Sequence, residues 1–249
     1  MAPQHIVKAY DEELKHLNDI VARMGGLAEK QLADAVEAVM ARDVDLASRV
    51  VEADNRVDAL EHEVDNFVVR LLALRQPMAR DLREIVAALR ISADLERIAD
   101  YAANVAKRAI ALAQTPVVRP VHAVPRMARM AQLLIKDVID AFVERDAEKA
   151  VRVWESDEHI DEMYTSLFRE LLTYMMEDPR NITPSTHLLF IAKNIERIGD
   201  HATNIAENVY FLVHGKSLPG SRPKGDTSSL AVVEPAPARR DRDKGEAGQ

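Results

Sequence analysis

Apolar positions recur at steps of three and four along most of the chain, up to about residue 215. Leu82, Ile85 and Leu89 form one such line, and Leu171, Leu172 and Met175 another. This is the spacing of a buried stripe on a helix. Prolines and capping residues cut the pattern into six long helices: His5 to Ala41, Val44 to Leu74, Met78 to Ala113, Arg126 to Arg145, Ala147 to Glu177 and Pro184 to His214. Asp43 and Asp146 each follow an arginine and are placed to cap the helix after them. Thr183-Pro184 reads as an N-cap with proline at the first helical position, and Gly215 as a C-cap. Between the third and fourth helices, Thr115 to Pro125 carries three prolines and reads as a stiff linker. Helices of this length joined by short loops pack as antiparallel bundles.

The chain repeats itself. Asp94-Leu-Glu-Arg-Ile-Ala-Asp-Tyr-Ala-Ala-Asn-Val-Ala-Lys107 aligns with Asn194-Ile-Glu-Arg-Ile-Gly-Asp-His-Ala-Thr-Asn-Ile-Ala-Glu207, with seven of 14 positions identical. Upstream, Arg42-Asp43 matches Arg145-Asp146, and Glu52-x-Asp54-x-x-x-Asp58 matches Glu155-x-Asp157-x-x-x-Asp161. A self-match at this scale marks duplicated structural units. The expected fold is therefore all-α, two tandem antiparallel three-helix bundles related by an internal repeat. The first bundle spans 1–114, the linker 115–125 and the second bundle 126–215. Residues 216–249 hold four of the eight glycines and are expected to be a disordered tail.

Composition narrows the function. The 249 residues contain no cysteine, so disulfides, thiolate metal sites and cysteine nucleophiles are excluded. A net charge of -8 disfavours nucleic acid as a partner. The longest apolar runs fall far short of the ~20 residues that span a bilayer, and the first residues lack a signal-peptide pattern. A soluble, cytoplasmic protein is expected, with membrane contact only through partners. No phosphate-binding glycine loop or nucleophile elbow occurs. Gly25-Gly26 within the first helix reads as a kink or a close helix crossing.

Four acidic pairs at i, i+4 remain: Asp54/Asp58, Glu96/Asp100, Asp157/Asp161 and Glu196/Asp200. Each puts two carboxylates on one helical face. Random placement of 41 acids gives about six or seven such pairs, so one pair alone means little. Their register means more. In an antiparallel hairpin, residues at equal height share a midpoint. The first two pairs share Pro77; the last two share the step between Asp178 and Pro179. Each repeat thus brings four carboxylates to one level. Such a group resists ionisation unless positive charge joins it. Arg97, Arg197 or other arginines could supply that charge, or hard cations could, since carboxylate oxygens are their preferred ligands. The metal reading is preferred, with Asp54, Asp58, Glu96, Asp100, Asp157, Asp161, Glu196 and Asp200 as ligands. The apolar residues after Glu96 lie on another face, so an open surface patch is expected rather than a buried channel. A di-iron enzyme or metal store is the rival, but its Glu-x-x-His occurs once, at Glu13 and His16, away from the pairs. A metal-free structural adaptor is the third reading. His62 follows Asp58 at i+4 and could be an extra ligand, though it reads more readily as an exposed histidine, and His201 points away from the Glu196/Asp200 face.

Several segments resemble the PhoU family of phosphate-transport and phosphate-signalling regulators, over about residues 5 to 215. They are Met24-Gly-Gly-Leu27, Leu74-Arg-Gln-Pro-Met-Ala-Arg-Asp-Leu-Arg83, the Glu-Arg-Ile-x-Asp segments at 96–100 and 196–200, and Glu177-Asp-Pro-Arg-Asn-Ile-Thr-Pro184. The resemblance implies a dimeric protein whose acidic motifs hold iron, zinc, manganese or magnesium, multinuclear clusters included. It implies a non-enzymatic repressor of the phosphate-starvation response that also restrains phosphate uptake. Its implied partners are the ATPase of the phosphate ABC transporter and a sensor histidine kinase. Ala99 departs from the glycine usual in the first motif. Arg75, Asp81 and Arg83, near the turn between the second and third helices, are candidate partner contacts, or equally caps and ion pairs of a helix start.

Overall fold

A computed structural model describes residues 2–156 and 158–220, with side chains from Tyr10 onward. Asp157 and residues 221–249 lie outside the described residues, as does most of the expected disordered tail. Among the described residues the helices are α1 (Ala2–Ala41), α2 (Val44–Ala53), α3 (Asn55–Arg75), α4 (Ala79–Leu112), α5 (Val124–Glu144), α6 (Ala147–Ser156), α7 (Glu158–Glu177) and α8 (Ile182–His214). None is long and apolar enough to cross a membrane.

The expected second helix is divided in two. Asp54 separates α2 from α3 while keeping right-handed helical angles (φ -54°, ψ -43°), and the Val57 amide donates to its carbonyl over 2.8 Å. The chain thus tightens by one short turn there without changing course. Two other expectations also shift. The last helix starts at Ile182, after a 3-10 turn Pro179–Asn181 in which Asp178 accepts from the Arg180 amide, so Pro184 sits inside the first turn. The proline-rich linker is ordered as a 3-10 helix, Arg119–Ala123, with Val118 and Pro120 buried.

The two repeats turn the same corner. Arg42 (φ 56°) and Arg145 (φ 55°) are both left-handed, and Asp43 and Asp146 cap the next helix by accepting from Leu46 and Lys149. The amides of Asp43 and Asp146 donate back to the carbonyls of Ala38 and Ala141 at 3.0 and 2.9 Å. This 6→1 bond closes each preceding helix. Arginine is uncommon in this conformation, but each guanidinium has an anchor. Arg42 donates to the carbonyls of Ala113 and Thr115, both at 2.6 Å, beyond the end of α4. Arg145 pairs with buried Glu84, near the start of α4.

The repeats share one core. Helices α1, α4, α8 and α5 pack in a ring, with α2 and α3 outside on one repeat and α6 and α7 outside on the other. One continuous apolar cluster runs from Leu14 to Leu212 across both halves. Gly25 makes the α1–α5 approach possible, because a Cβ there would lie 2.6 Å from Ile139 Cγ1. Gly26 faces open space. Helices α4 and α8 share the most extensive interface. They run antiparallel: Arg90 lies over Phe211, Asp94 meets His201, Tyr101 meets Arg197, and Arg108 lies over Phe190. Since residues of α4 and α8 correspond at an offset of 100, this crossing is a local pseudo-twofold axis near Ala99 and Gly199.

Candidate functional site

The acidic residues of the first repeat meet where α3 lies against α4. Asp54, at the α2–α3 junction, accepts from Gln31 Nε2 at 3.1 Å. Burial raises its pKa first, despite the Gln31 bond, and the charges of Asp58 and Asp100 add to the rise. Glu96 is also raised, by burial and by Glu61, Asp100 and Asp58, while Arg97 pulls it down. Residues that shift one another's ionisation across two helices are close, so the expected common level exists. All four carboxylates are half-buried. Glu61 joins the group, raised by burial and by Asp65 and Asp58. Sequence reading missed it, although it lies three residues after Asp58 and seven after Asp54, on the same face. Arg97 supplies the expected cation, 3.5 Å from Glu96.

The second repeat builds a different version. Glu196 and Asp161 are 4% and 3% exposed and Asp200 is half-buried, so these carboxylates do not form an open patch. Burial pushes the Glu196 pKa up to about 7, with Asp200 and Asp161 contributing and Lys193 opposing. Lys193 donates to Glu196 Oε1 at 2.8 Å and lies 4.8 Å from the Tyr164 ring centre. Glu196 Oε2 is buried with no partner among the described residues. Tyr164 occupies the position that Glu61 holds in the first repeat. Among the described residues Arg197 makes no ion pair with the acids as Arg97 does; it donates to the Tyr101 hydroxyl at 3.3 Å, with Glu196 and Asp200 acting on it only at longer range.

Both groups offer the oxygen chemistry of a hard cation, and burial, with neighbouring carboxylates adding to it, makes Asp54, Glu96 and Glu196 harder to ionise. Among the described residues, however, no three His, Asp or Glu side chains converge closely enough to hold one metal ion. The first group has Arg97 and Lys107 beside it, whereas in the second the ammonium of Lys193 bonds a carboxylate of the group directly. His62 is exposed. His201 Nδ1 lies 2.8 Å from Asp94 Oδ1, away from the acids. The Glu13/His16 pair is not a di-iron half-site: Glu13 is held by Arg75, and His16 lies against Phe67 and Glu63.

The turn between α3 and α4 forms a second surface of interest. Arg75 clasps Glu13 through two bonds of 2.8 and 3.0 Å, which holds the Glu13 carboxyl below its ordinary range. Arg83 packs against Gly215 at the C-terminus of α8, a favourable place for a cation. Asp81 is half-buried in the first turn of α4. Two of the three candidate contacts thus have internal roles. Large apolar side chains also point outward near the tip: Val69, Leu74 and Met78 are 68%, 69% and 79% exposed, alongside the exposed Gln76 and Arg80. Gln76 and Ala79 hold left-handed angles (φ 47° and 44°) beside them. Strain of this kind gathers at functional surfaces.

Comparison with known proteins follows the same architecture. The model of the PhoU domain matches residues 21–109 and 124–209. A "phosphate-specific transport system accessory protein PhoU homolog" from Rhizobium meliloti is 52% identical over 235 residues, 94% of this chain and 99% of that protein. The protein of the same name from Caulobacter vibrioides is 52% identical, covering 91% and 99%. The crystal structure of PhoU from Pseudomonas aeruginosa superposes with a TM-score of 0.81 at 41% identity, covering 83% of this chain and all of that one (100%). That of the phosphate transport system regulatory protein PhoU from Streptococcus pneumoniae gives 0.79 at 27% identity, covering 84% and 99%.

Proposed function

This chain belongs to the PhoU domain family, and from that membership we propose that it is the accessory regulator of a phosphate-specific transport system. It restrains phosphate uptake and represses the phosphate-starvation response when phosphate is plentiful. It works in the cytoplasm as a homodimer, by contact with the transporter ATPase and a sensor histidine kinase, and without catalysis of its own. The observation that carries this reading is end-to-end similarity: 52% identity over 99% of a relative named for that transport system. The exposed apolar tip at Leu74 and Met78 supports docking through the α3–α4 turn, since large exposed apolar side chains grouped in one place mark interaction surfaces.

The acidic groups are part of this reading as sites for divalent or trivalent metal ions. Asp54, Asp58, Glu96 and Asp100 would hold the ion of the first repeat. Asp157, Asp161, Glu196 and Asp200 would hold that of the second, in competition with Lys193. Bound metal would offset the burial that, with neighbouring charges, raises the pKa of Asp54, Glu96 and Glu196. The scarcity of closely converging ligands favours a second reading, in which the groups are structural ion networks and the protein a metal-free adaptor.

Deletion of the gene tests the regulatory role: phosphate-starvation genes should become active in phosphate-rich medium, and silence there would reject it. Co-purification with the transporter ATPase or kinase at high and low phosphate, repeated with Leu74→Asp and Met78→Asp, tests the docking face. Metal analysis of wild type and Asp100→Ala separates the two readings of the acids. Equal metal content would leave the adaptor.

A further inference from the structure

Beside the α4–α8 crossing lies a cleft of about 470 Å³ whose chemistry is opposite to that of the acidic groups. Its polar lining is Asn104, Lys107 and Arg108 from α4 with His187 and Asn194 from α8, around the half-exposed ring of Phe190. No carboxylate lines it, although the chain carries a net charge of -8. The Arg108 guanidinium lies 4.3 Å from the Phe190 ring centre, a stacking that leaves its N–H edges free to donate in plane. Lys107 donates to Asn104 Oδ1 at 3.3 Å. His187 Nδ1 is buried with no partner among the described residues. Burial and the nearby Arg108 lower the His187 pKa, so the ring is neutral at pH 7 and carries a single N–H. A buried ring nitrogen without a partner is costly unless a ligand atom meets it.

The internal repeat provides a control. The equivalent positions in the other half are Glu207 for Lys107, Asn208 for Arg108, Ala87 for His187 and Asp94 for Asn194. That copy is filled by its own bonds: Asp94 holds His201 at 2.8 Å and Asn204 at 3.4 Å, and Trp154 donates to Glu207 at 3.0 Å. One duplicated position is thus acidic and satisfied, the other cationic and open.

We propose that the cleft between Lys107, Arg108, His187 and Asn194 is a binding site for a phosphoryl-type oxyanion, either inorganic phosphate or the phosphate group of a nucleotide. Two fixed cations match a dianion, and neutral amide and imidazole donors can complete its oxygen shell without adding charge. None of the proposed acidic ligands lines the cleft, although Lys107 also acts on Asp54 of the first acidic group and lowers its pKa.

Titration calorimetry of the full chain with inorganic phosphate and with ATP tests this, in EDTA to remove metal-bridged anions and at about 0.15 M salt to screen diffuse attraction. Wild type should bind saturably. Arg108→Gln should weaken binding about tenfold or more, the loss of one charge-assisted contact. Asn194→Asp, which installs the carboxylate of the other repeat, should abolish it. Arg90→Gln, the matching change at the Phe211 side of the crossing, should leave it within about twofold. Tighter binding of ATP would assign a nucleotide; equal or weaker binding would assign free phosphate. Absence of saturable binding of both ligands overturns the proposal. So does binding that survives both Arg108→Gln and Asn194→Asp in variants of unchanged helicity.

Discussion

Glu196 gives the sharpest test of the electrostatics. Its carboxyl is 4% exposed and its pKa is raised from 4.5 to about 7. Because the folded chain holds this proton more tightly than the unfolded chain, stability falls as pH rises between those values. Below about 4.5 both states are protonated and the cost is absent; above about 7 it is complete. The difference corresponds to about 3 kcal/mol. Glu196→Gln removes the charge at similar volume. Lys193 keeps an amide oxygen as acceptor, and its attraction to the charged carboxylate is already contained in the shifted pKa. The variant should therefore match wild type near pH 4.5 and exceed it by about 3 kcal/mol at pH 8, a melting-temperature gap of about 6–12 °C. Thermal melts followed by helix circular dichroism, in EDTA from pH 4.5 to 8.5, read this directly. A gap that does not change with pH, or a variant less stable at pH 8, refutes the reasoning.

The remaining predictions follow from packing, caps and cations. Gly25→Ala should destabilise by about 1–3 kcal/mol through its clash with Ile139. Gly26→Ala, with open space, should instead stabilise by up to about 1 kcal/mol; denaturant melts of the two variants should move in opposite directions. Asp43→Ala and Asp146→Ala should each cost about 0.5–2 kcal/mol, and similar losses would reflect the matched caps. Added Mn²⁺ at pH 8 should raise the melting temperature of wild type but not of a variant carrying Asp58→Asn with Asp100→Asn if the first acidic group is the main cation site; an equal rise in both assigns the ion elsewhere.

The all-α duplicated fold was legible because its signals are local. Asp43, Asp146 and Gly215 announce helix ends by their own chemistry, and i, i+4 spacing places carboxylates on one face without any knowledge of the rest. The antiparallel midpoint then brought Asp54 and Asp58 to the level of Glu96 and Asp100. What escaped depended on partners distant in sequence. Lys193 reaches Glu196 in place of the expected Arg197, because Arg197 turns to Tyr101 of the other repeat. The burial of Asp161 and Glu196 follows from packing in the second half, which the pattern around Glu96 could not convey. The merging of two bundles into one core needs the α4–α8 contact, and no periodicity encodes it. Gly25 was read as a crossing or a kink; only the position of Ile139 decides for the crossing.

The left-handed arginines at the two corners carry a lesson for anyone redesigning this protein. Swapping Arg42 or Arg145 for glycine would ease the backbone, and routine stabilisation rules would recommend it. Yet each side chain is a strap thrown over the molecule, one cinching the far end of α4, the other fastening the second half to the first. Cutting the straps to relax the corners would leave better turns in a looser whole.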